Sequence, residues 1–135
     1  MNQLPLFGPI VTGLKVIDAS ALAAILFDEP EAMAVLTMIG DYHLAAPYLM
    51  TFELANVCVV KSRRDPLQQA AYLAALALYS SLSVQEYAVD PDGVARLANL
   101  TNLTAYDASY LWLARQLGVE LVTLDKALIR AIAGN

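Results

Sequence analysis

The chain has 135 residues, close to the most common size of a single domain, and this length allows a core to form without disulfides. One cysteine, Cys58, and one histidine, His43, exclude an intrachain disulfide, a Cys/His zinc site and a Ser-His-Asp or Cys-His mechanism. The net charge of −5 does not favour nucleic-acid binding, which usually depends on a basic surface.

The start of the chain is predicted to be an irregular arm that covers residues 1–13. Its first twelve residues contain two prolines and a glycine and lack the basic residues of a signal peptide. The longest uncharged stretch, 66–85, is interrupted by glutamines and serines, so no membrane span is predicted. We therefore expect a cytoplasmic protein.

After the arm, short apolar runs alternate with helical patterns. The apolar runs predict strands at Leu14–Ile17, Leu44–Ala46 and Glu120–Leu124, and Ser83–Val89 mixes strand and turn character. Helices are predicted at Ala19–Phe27, Glu31–Ile39, Leu49–Ser62, 66–79, 91–99, Tyr106–Leu117 and Lys126–Ala133. In the sixth of these helices Tyr106, Tyr110 and Leu113 share one face, and Gly118 is predicted to cap its end.

Strands that alternate with helices predict a single α/β domain over residues 14–135, with a central, mostly parallel sheet flanked by helices. In such sheets, functional sites form at the carboxyl ends of the strands. Asp18 follows the first predicted strand, and Asp125 follows the last. Both carboxylates are therefore expected at this edge of the sheet.

Four acidic residues form the candidate site: Asp18, Glu53, Asp107 and Asp125. Carboxylates that are brought together repel one another, and a cation relieves the repulsion. Hard oxygen ligands suit Mg²⁺ or Mn²⁺, and such an ion can activate water and hold a phosphate. The sequence therefore predicts a metal-dependent hydrolase that acts on phosphodiesters.

Each acid also has a purely structural interpretation. Asp18 and Asp125 suit the N-caps of the helices that follow them, Asp107 suits a capping box with Thr104, and Glu53 suits a solvated helix face. The apolar surroundings of Glu53 favour the functional interpretation, because a carboxylate there needs a partner or a cation. Three polar neighbours are expected to support the site: Ser20, Asn56 and Thr123. The other nine acids, among them Glu29 and Glu86, are interpreted as solvated.

Four segments in this order resemble the PIN-domain nucleases, and in particular the VapC-type toxins of toxin–antitoxin pairs. They are Val16-Ile17-Asp18-Ala19-Ser20, Glu53-Leu54-Ala55-Asn56-Val57, Leu103-Thr104-Ala105-Tyr106-Asp107-Ala108-Ser109-Tyr110-Leu111 and Leu121-Val122-Thr123-Leu124-Asp125-Lys126-Ala127-Leu128. Each segment alone is common, but their order and spacing cover nearly the whole chain from Leu14 onward.

The resemblance implies a ribonuclease that cuts RNA with one or two Mg²⁺ or Mn²⁺ ions. It implies that Asp18, Glu53, Asp107 and Asp125 are the metal-site acids, and that Ser20, Asn56 and Thr123 support them. It also implies an antitoxin partner whose tail lies over the acidic pocket and supplies a basic side chain. The chain departs from many members in its longer N-terminal arm and its acidic charge.

Several alternatives remain open within and outside this family. A phosphoacceptor receiver domain needs two neighbouring acids after the first strand, where Asp18 stands alone. A haloacid-dehalogenase-like phosphatase needs Asp-x-Asp, whereas the chain has Asp18-x-Ser20. An RNA-processing or DNA-directed PIN nuclease without an antitoxin is the closest alternative. A catalytically silent PIN fold that only binds proteins is another.

The high apolar content predicts an interface between chains. Hydrophobic residues make up 59% of the sequence, against about 45–50% in an average domain. A domain of this size does not bury so much apolar surface internally. We therefore expect a homodimer and, separately, a groove that takes an antitoxin segment.

Overall fold

The computed structural model describes residues 13–134, and the predicted arm lies outside them except for Gly13. The described chain contains one sheet of four parallel strands in the order β3-β2-β1-β4. The strands are β1 (Leu14–Ile17), β2 (His43–Pro47), β3 (Val84–Tyr87) and β4 (Leu121–Val122). The predicted α/β domain with a parallel sheet is thus confirmed.

Seven α-helices flank the sheet within the described residues. They are α1 (Ala19–Leu26), α2 (Ala32–Ile39), α3 (Met50–Arg64), α4 (Gln69–Ala77), α5 (Pro91–Thr101), α6 (Ala105–Leu117) and α7 (Lys126–Ala133). Short 3₁₀ turns precede and follow α4. None of the helices described is long and apolar enough to cross a membrane.

The helix boundaries follow from local capping. Asp90 accepts a hydrogen bond from the backbone N–H of Gly93, and Pro91 occupies the first position of α5, where its missing N–H has no cost. Helix α6 begins at the Thr104 cap and ends at Gly118, whose φ of 67° is left-handed as a C-cap requires. The capping roles predicted for Thr104 and Gly118 are confirmed.

Strand β1 lies in the middle of the sheet and of the core. Val16 pairs with Ala45 of β2 on one side and with Leu121 of β4 on the other. The side chains of Val16 and Ile17 are completely buried, together with residues of α1, α2, β2, α3 and α6. Because all four strands are parallel, the loops that follow them open on the same edge of the sheet.

Strand β4 and the alanine-rich helix are among the elements that are shorter than predicted. Strand β4 ends at Val122 instead of Leu124, because the Thr123 hydroxyl and the Leu124 N–H bond to groups at the end of β1. The alanine-rich helix predicted for residues 66–79 is α-helical only in α4, and no residue of α4 is buried. Tyr72 and Leu76 of this helix are half-buried, whereas Leu73 and most of its alanines are exposed.

The face that was predicted to be shared on α6 contains both buried and exposed side chains. Tyr110 and Leu113 are buried, whereas Tyr106, one turn before Tyr110, is 66% exposed. Tyr106 lies in the first turn of α6. The Cys58 thiol is free and buried on α3.

Candidate active site

A pocket of about 530 Å³ opens at the carboxyl edge of the sheet. All four predicted acids line it, and so do Ser20 and Asn56. The complete lining consists of Asp18, Ala19, Ser20, Leu49, Phe52, Glu53, Asn56, Val57, Tyr106, Asp107, Tyr110 and Asp125. The sequence therefore identified every acidic residue of the pocket.

Asp18 is held rigidly at the end of β1. It is 3% exposed, and its Oδ1 accepts hydrogen bonds from the Ser20 hydroxyl (2.8 Å) and the Ala21 backbone N–H (3.0 Å). Its Oδ2 accepts a bond of 2.6 Å from the Thr123 hydroxyl. The bond to Ala21 makes Asp18 the N-cap of α1, so the structural and the site interpretation both apply to this residue.

Two hydroxyl groups join the loop after β1 to the loop after β4. Thr123 Oγ1 donates to Asp18 and accepts from the backbone N–H of Asp125 at 2.9 Å. Ser20 Oγ donates to Asp18 and accepts from the backbone N–H of Leu124 at 3.0 Å. These bonds hold Asp125 beside Asp18, and they join Ser20 and Thr123 to the Asp18 carboxylate.

Asp125 and Asp107 both lie at helix starts. Asp125 Oδ1 accepts a bond of 3.0 Å from the Leu128 N–H and so caps α7. Asp107 is in the first turn of α6, where its backbone N–H donates to Thr104 Oγ1 at 3.1 Å. Both carboxylates therefore lie beside the positive end of a helix, which favours negative charge.

Glu53 is held from a different helix. It is half-buried on α3, and the Tyr110 hydroxyl of α6 donates to its Oε1 at 2.6 Å. The sequence predictions missed this role of Tyr110 and assigned the support of Glu53 to Asn56. Asn56 is exposed in the pocket, and its side chain makes no hydrogen bond within the described residues. The position of Tyr110, three residues after Asp107 on one helix face, is the signal that pointed toward the site.

The acids influence one another electrostatically. Burial raises the pKa of Asp18, and the nearby charge of Asp125 raises it further, whereas bonds from Thr123, Ala21 and Ser20 lower it. Burial also raises the pKa of Glu53, with repulsion from Asp107 and Asp18 adding to it. The four carboxylates thus repel across one pocket.

Asp107 shows the same pattern. Burial raises its pKa, repulsion by Asp125 adds to the rise, and the Thr104 side chain lowers it. In a pocket where three acids have raised pKa values, a bound cation would lower these pKa values and favour the charged form of all three. This electrostatic environment is one that a divalent cation stabilises.

The donor set fits a hard divalent cation by its chemistry. Four carboxylates and the amide oxygen of Asn56 offer the oxygen ligands that Mg²⁺ and Mn²⁺ prefer. Among residues 13–134, however, no three His, Cys, Asp or Glu side chains are arranged as a ready-made metal site. Asp18 and Glu53 instead accept hydrogen bonds from Thr123 and Tyr110. Repulsion between the carboxylates acts against a closer arrangement.

Two of the acids interpreted as solvated are half-buried and bound to side chains of other elements. Glu86 Oε2 accepts hydrogen bonds from the Tyr79 hydroxyl (2.6 Å) and the Thr51 hydroxyl (2.9 Å). Glu29 forms an ion pair with Lys61. These partners are distant in sequence or on other elements, so the neighbouring residues gave no indication of them.

The comparisons with known proteins agree with the fold and the pocket. The family model of the PIN domain matches residues 15–134. Over 110 residues the chain is 36% identical to a VapC ribonuclease of Mycobacterium bovis, covering 82% of this chain and 84% of that protein. It is 31% identical over 120 residues to ribonuclease VapC3 of Pyrobaculum aerophilum, covering 84% and 90%. The chain therefore belongs to the PIN domain family.

Two crystal structures have the same fold. A protein from Pyrobaculum aerophilum superposes with a TM-score of 0.69 at 31% identity, covering 87% of this chain and 78% of the other. VapC20 of Mycobacterium tuberculosis, described as a toxin that cleaves the sarcin-ricin loop, gives a TM-score of 0.61 and covers 87% and 94%. At 16% identity the second likeness concerns the fold alone.

Proposed function

We propose that this chain is a metal-dependent endoribonuclease and the toxin of a toxin–antitoxin pair. One observation carries the proposal: Asp18, Glu53, Asp107 and Asp125 line a single pocket in a chain whose curated relatives are named VapC ribonucleases. The proposed substrate is RNA, and the proposed ion is Mg²⁺ or Mn²⁺.

The four carboxylates would hold the ion and face the scissile phosphate. When bound, such an ion polarises phosphate oxygens and lowers the pKa of water, so that water attacks at neutral pH. Thr123 and Ser20 keep the Asp18 carboxylate oriented toward the pocket, because each donates a hydrogen bond to one of its two oxygens. The pocket thereby presents its charge in a fixed arrangement, which favours catalysis.

Glu53 is placed to move a proton. Tyr110 binds its Oε1, whereas its Oε2 makes no hydrogen bond within the described residues. The Oε2 atom is therefore placed to accept a proton from the attacking water, which is the role of a general base. Tyr110 remains a neutral donor throughout, because burial and the adjacent Glu53 raise its own pKa.

The partner proposed for this toxin is an antitoxin with a basic segment. Charge attraction favours a Lys or Arg side chain in a pocket lined by four acids, and the net charge of −5 steers such a partner toward the protein. The antitoxin would then compete with the metal ion. Co-expression with the product of the adjacent gene should give a soluble complex, and both proteins are proposed to be cytoplasmic.

Isosteric removal of single charges tests the function. Asp18→Asn and Asp107→Asn should each abolish the cleavage of total RNA in Mg²⁺ or Mn²⁺ while circular dichroism shows an intact fold. Asp92→Asn is the matched control, because Asp92 is exposed on α5, pairs with Arg96 and lies outside the pocket. Cleavage that continues in excess EDTA would exclude the metal mechanism, and cleavage of DNA alone would favour the DNA-directed alternative.

A further inference from the structure

Two exposed aromatic side chains flank the acidic pocket. Phe52 is 77% exposed on α3 and Tyr106 is 66% exposed on α6, and both line the pocket. Each ring directly precedes a pocket acid, since Phe52 is followed by Glu53 and Tyr106 by Asp107. Rings of this size gain free energy when a ligand covers them, because their apolar surface leaves water.

The charge of the pocket restricts what that ligand contacts. Four of its lining residues are acidic, and none of the residues that line it is Lys or Arg. Most nucleic-acid binding derives its affinity from contacts between basic side chains and phosphates. Among the described residues the pocket offers no such basic side chain, so RNA bound here gains affinity from another source in addition to the proposed ion.

Aromatic rings provide that source for unpaired nucleotides. A base that is free of its neighbours stacks on Phe or Tyr, and this interaction does not depend on the phosphate charge. In a duplex the bases already stack on one another, so their faces are not available. An aromatic pair beside a cleavage site therefore selects single strands.

We infer that Phe52 and Tyr106 stack two unpaired bases of the RNA on either side of the phosphate that is cut. The inference rests on the proposed function and adds the residues that select the strand. One ring projects from α3 and the other from α6, and each lies one residue from a carboxylate of the pocket. A base on each ring places the phosphate between them next to the acids.

The exposed apolar side chains at the pocket have the chemistry that base stacking needs. The large exposed apolar residues that line the pocket are both aromatic, whereas those on α4 and just after it are aliphatic, Leu73 and Leu78. Aliphatic surfaces suit protein contacts but offer no π-face to a base. A protein partner on the two rings is the competing explanation and forms one outcome of the test.

Binding of RNA is measured first in an Asp107→Asn background, which prevents cleavage under the proposed function. The probes are a fluorescent oligouridylate and an RNA duplex of the same length, observed by fluorescence anisotropy. Phe52→Ala and Tyr106→Ala should each weaken oligouridylate binding by roughly tenfold, the size expected for one lost stacking contact. Phe52→Trp and Tyr106→Phe keep a ring and should bind normally, as should Leu100→Ala on the exposed face of α5.

A second readout reports stacking directly. The chain has one tryptophan, Trp112, so Phe52→Trp adds a reporter at the pocket above a constant background. Its emission should be quenched by oligouridylate and not by the duplex.

If the parent chain cleaves RNA but the two Ala variants bind it normally and Phe52→Trp is not quenched, stacking is refuted and the proposed function stands. Normal RNA binding with loss of antitoxin binding would assign the rings to the protein partner. A parent chain without RNA cleavage in any divalent ion would refute the proposed function itself.

Discussion

The hydroxyl group of Tyr110 lies 2.6 Å from Oε1 of Glu53 and donates a hydrogen bond to it from α6 to α3. The Tyr110 ring is 1% exposed, and its hydroxyl also contacts the Met50 sulfur at 3.8 Å. The donor of this hydrogen bond therefore lies in the core, and its acceptor lies in the pocket. The orientation of Glu53 consequently depends on how α6 packs against α3.

Tyr110→Phe removes only this hydroxyl and tests its role. The variant leaves a half-buried carboxylate without its donor, which costs about 1–3 kcal/mol, and it raises the pKa of Glu53 further because the bond lowers that pKa. We expect weaker binding of Mn²⁺ by calorimetry and RNA cleavage reduced by roughly tenfold. Tyr79→Phe is the matched control, since Tyr79 donates to Glu86 outside the pocket. Equal losses in both variants would show a general packing effect.

The stability of the metal-free protein should depend on pH through the pocket acids. Asp18, Glu53 and Asp107 have raised pKa values in the folded chain, so the folded state binds more protons than the unfolded state. Their contribution to stability is therefore lost as the pH rises from the ordinary pKa values of 3.8 and 4.5 through the raised ones. Urea unfolding at several pH values measures this loss.

Single neutral substitutions separate the pocket from the other carboxylates. Asp107→Asn should be more stable than the parent above this pH window and similar below it, because it removes one of the repelling charges. Asp92→Asn, at an exposed position, should not show this difference. A stability gap between parent and Asp107→Asn that does not change with pH would contradict repulsion as the cause.

A bound cation should reverse the repulsion. Mg²⁺ or Mn²⁺ that binds only the folded chain at a hundred times its dissociation constant stabilises it by about 2.7 kcal/mol. We expect a rise in Tm that saturates with the ion concentration and is absent in Asp18→Asn. K⁺ at the same ionic strength is the control for screening. A rise of equal size with K⁺ would show that no specific site exists.

The sequence predicted the acids well because each lies next to a strand end or a helix start. Asp18 and Asp125 follow strands, and parallel strands bring their carboxyl ends together. Glu53 was identified by its apolar neighbours and by the family resemblance. These relations are local, so periodicity and capping patterns reveal them.

Contacts between distant elements were not predictable in the same way. The strand order β3-β2-β1-β4, the bond from Tyr110 to Glu53 and the two hydroxyl donors on Glu86 join residues far apart in sequence or on different elements. Local patterns do not specify which distant side chains meet. The same limit applies to the exposure of Tyr106, which the helical pattern alone does not specify.

The support of Asp18 by hydroxyl groups gives another test. Thr123→Val keeps the side-chain shape but leaves the Asp18 Oδ2 and the Asp125 N–H without their partner, at a cost of about 1–3 kcal/mol for each group. We expect a lower Tm and a loss of RNA cleavage greater than the loss of folded protein. Ser80→Ala is the control, because its exposed hydroxyl donates only to the Ala77 carbonyl. Full cleavage activity in Thr123→Val would show that Asp18 needs no such orientation.

The exposed apolar surface of α4 is the basis of the last prediction, which is that the protein forms a homodimer. No residue of α4 is buried, although the helix consists mainly of alanine and leucine, and Leu73 and Leu78 are 51% and 56% exposed. Such a surface is stabilised when a second copy covers it, and small alanines allow close helix approach.

Light scattering should give twice the 14.6 kDa mass of the chain. Leu73→Lys should give a monomer that keeps its fold, whereas Leu100→Lys, at a position 84% exposed on α5, should remain dimeric. A monomeric parent chain, or equal dissociation by both substitutions, would exclude α4 as the interface.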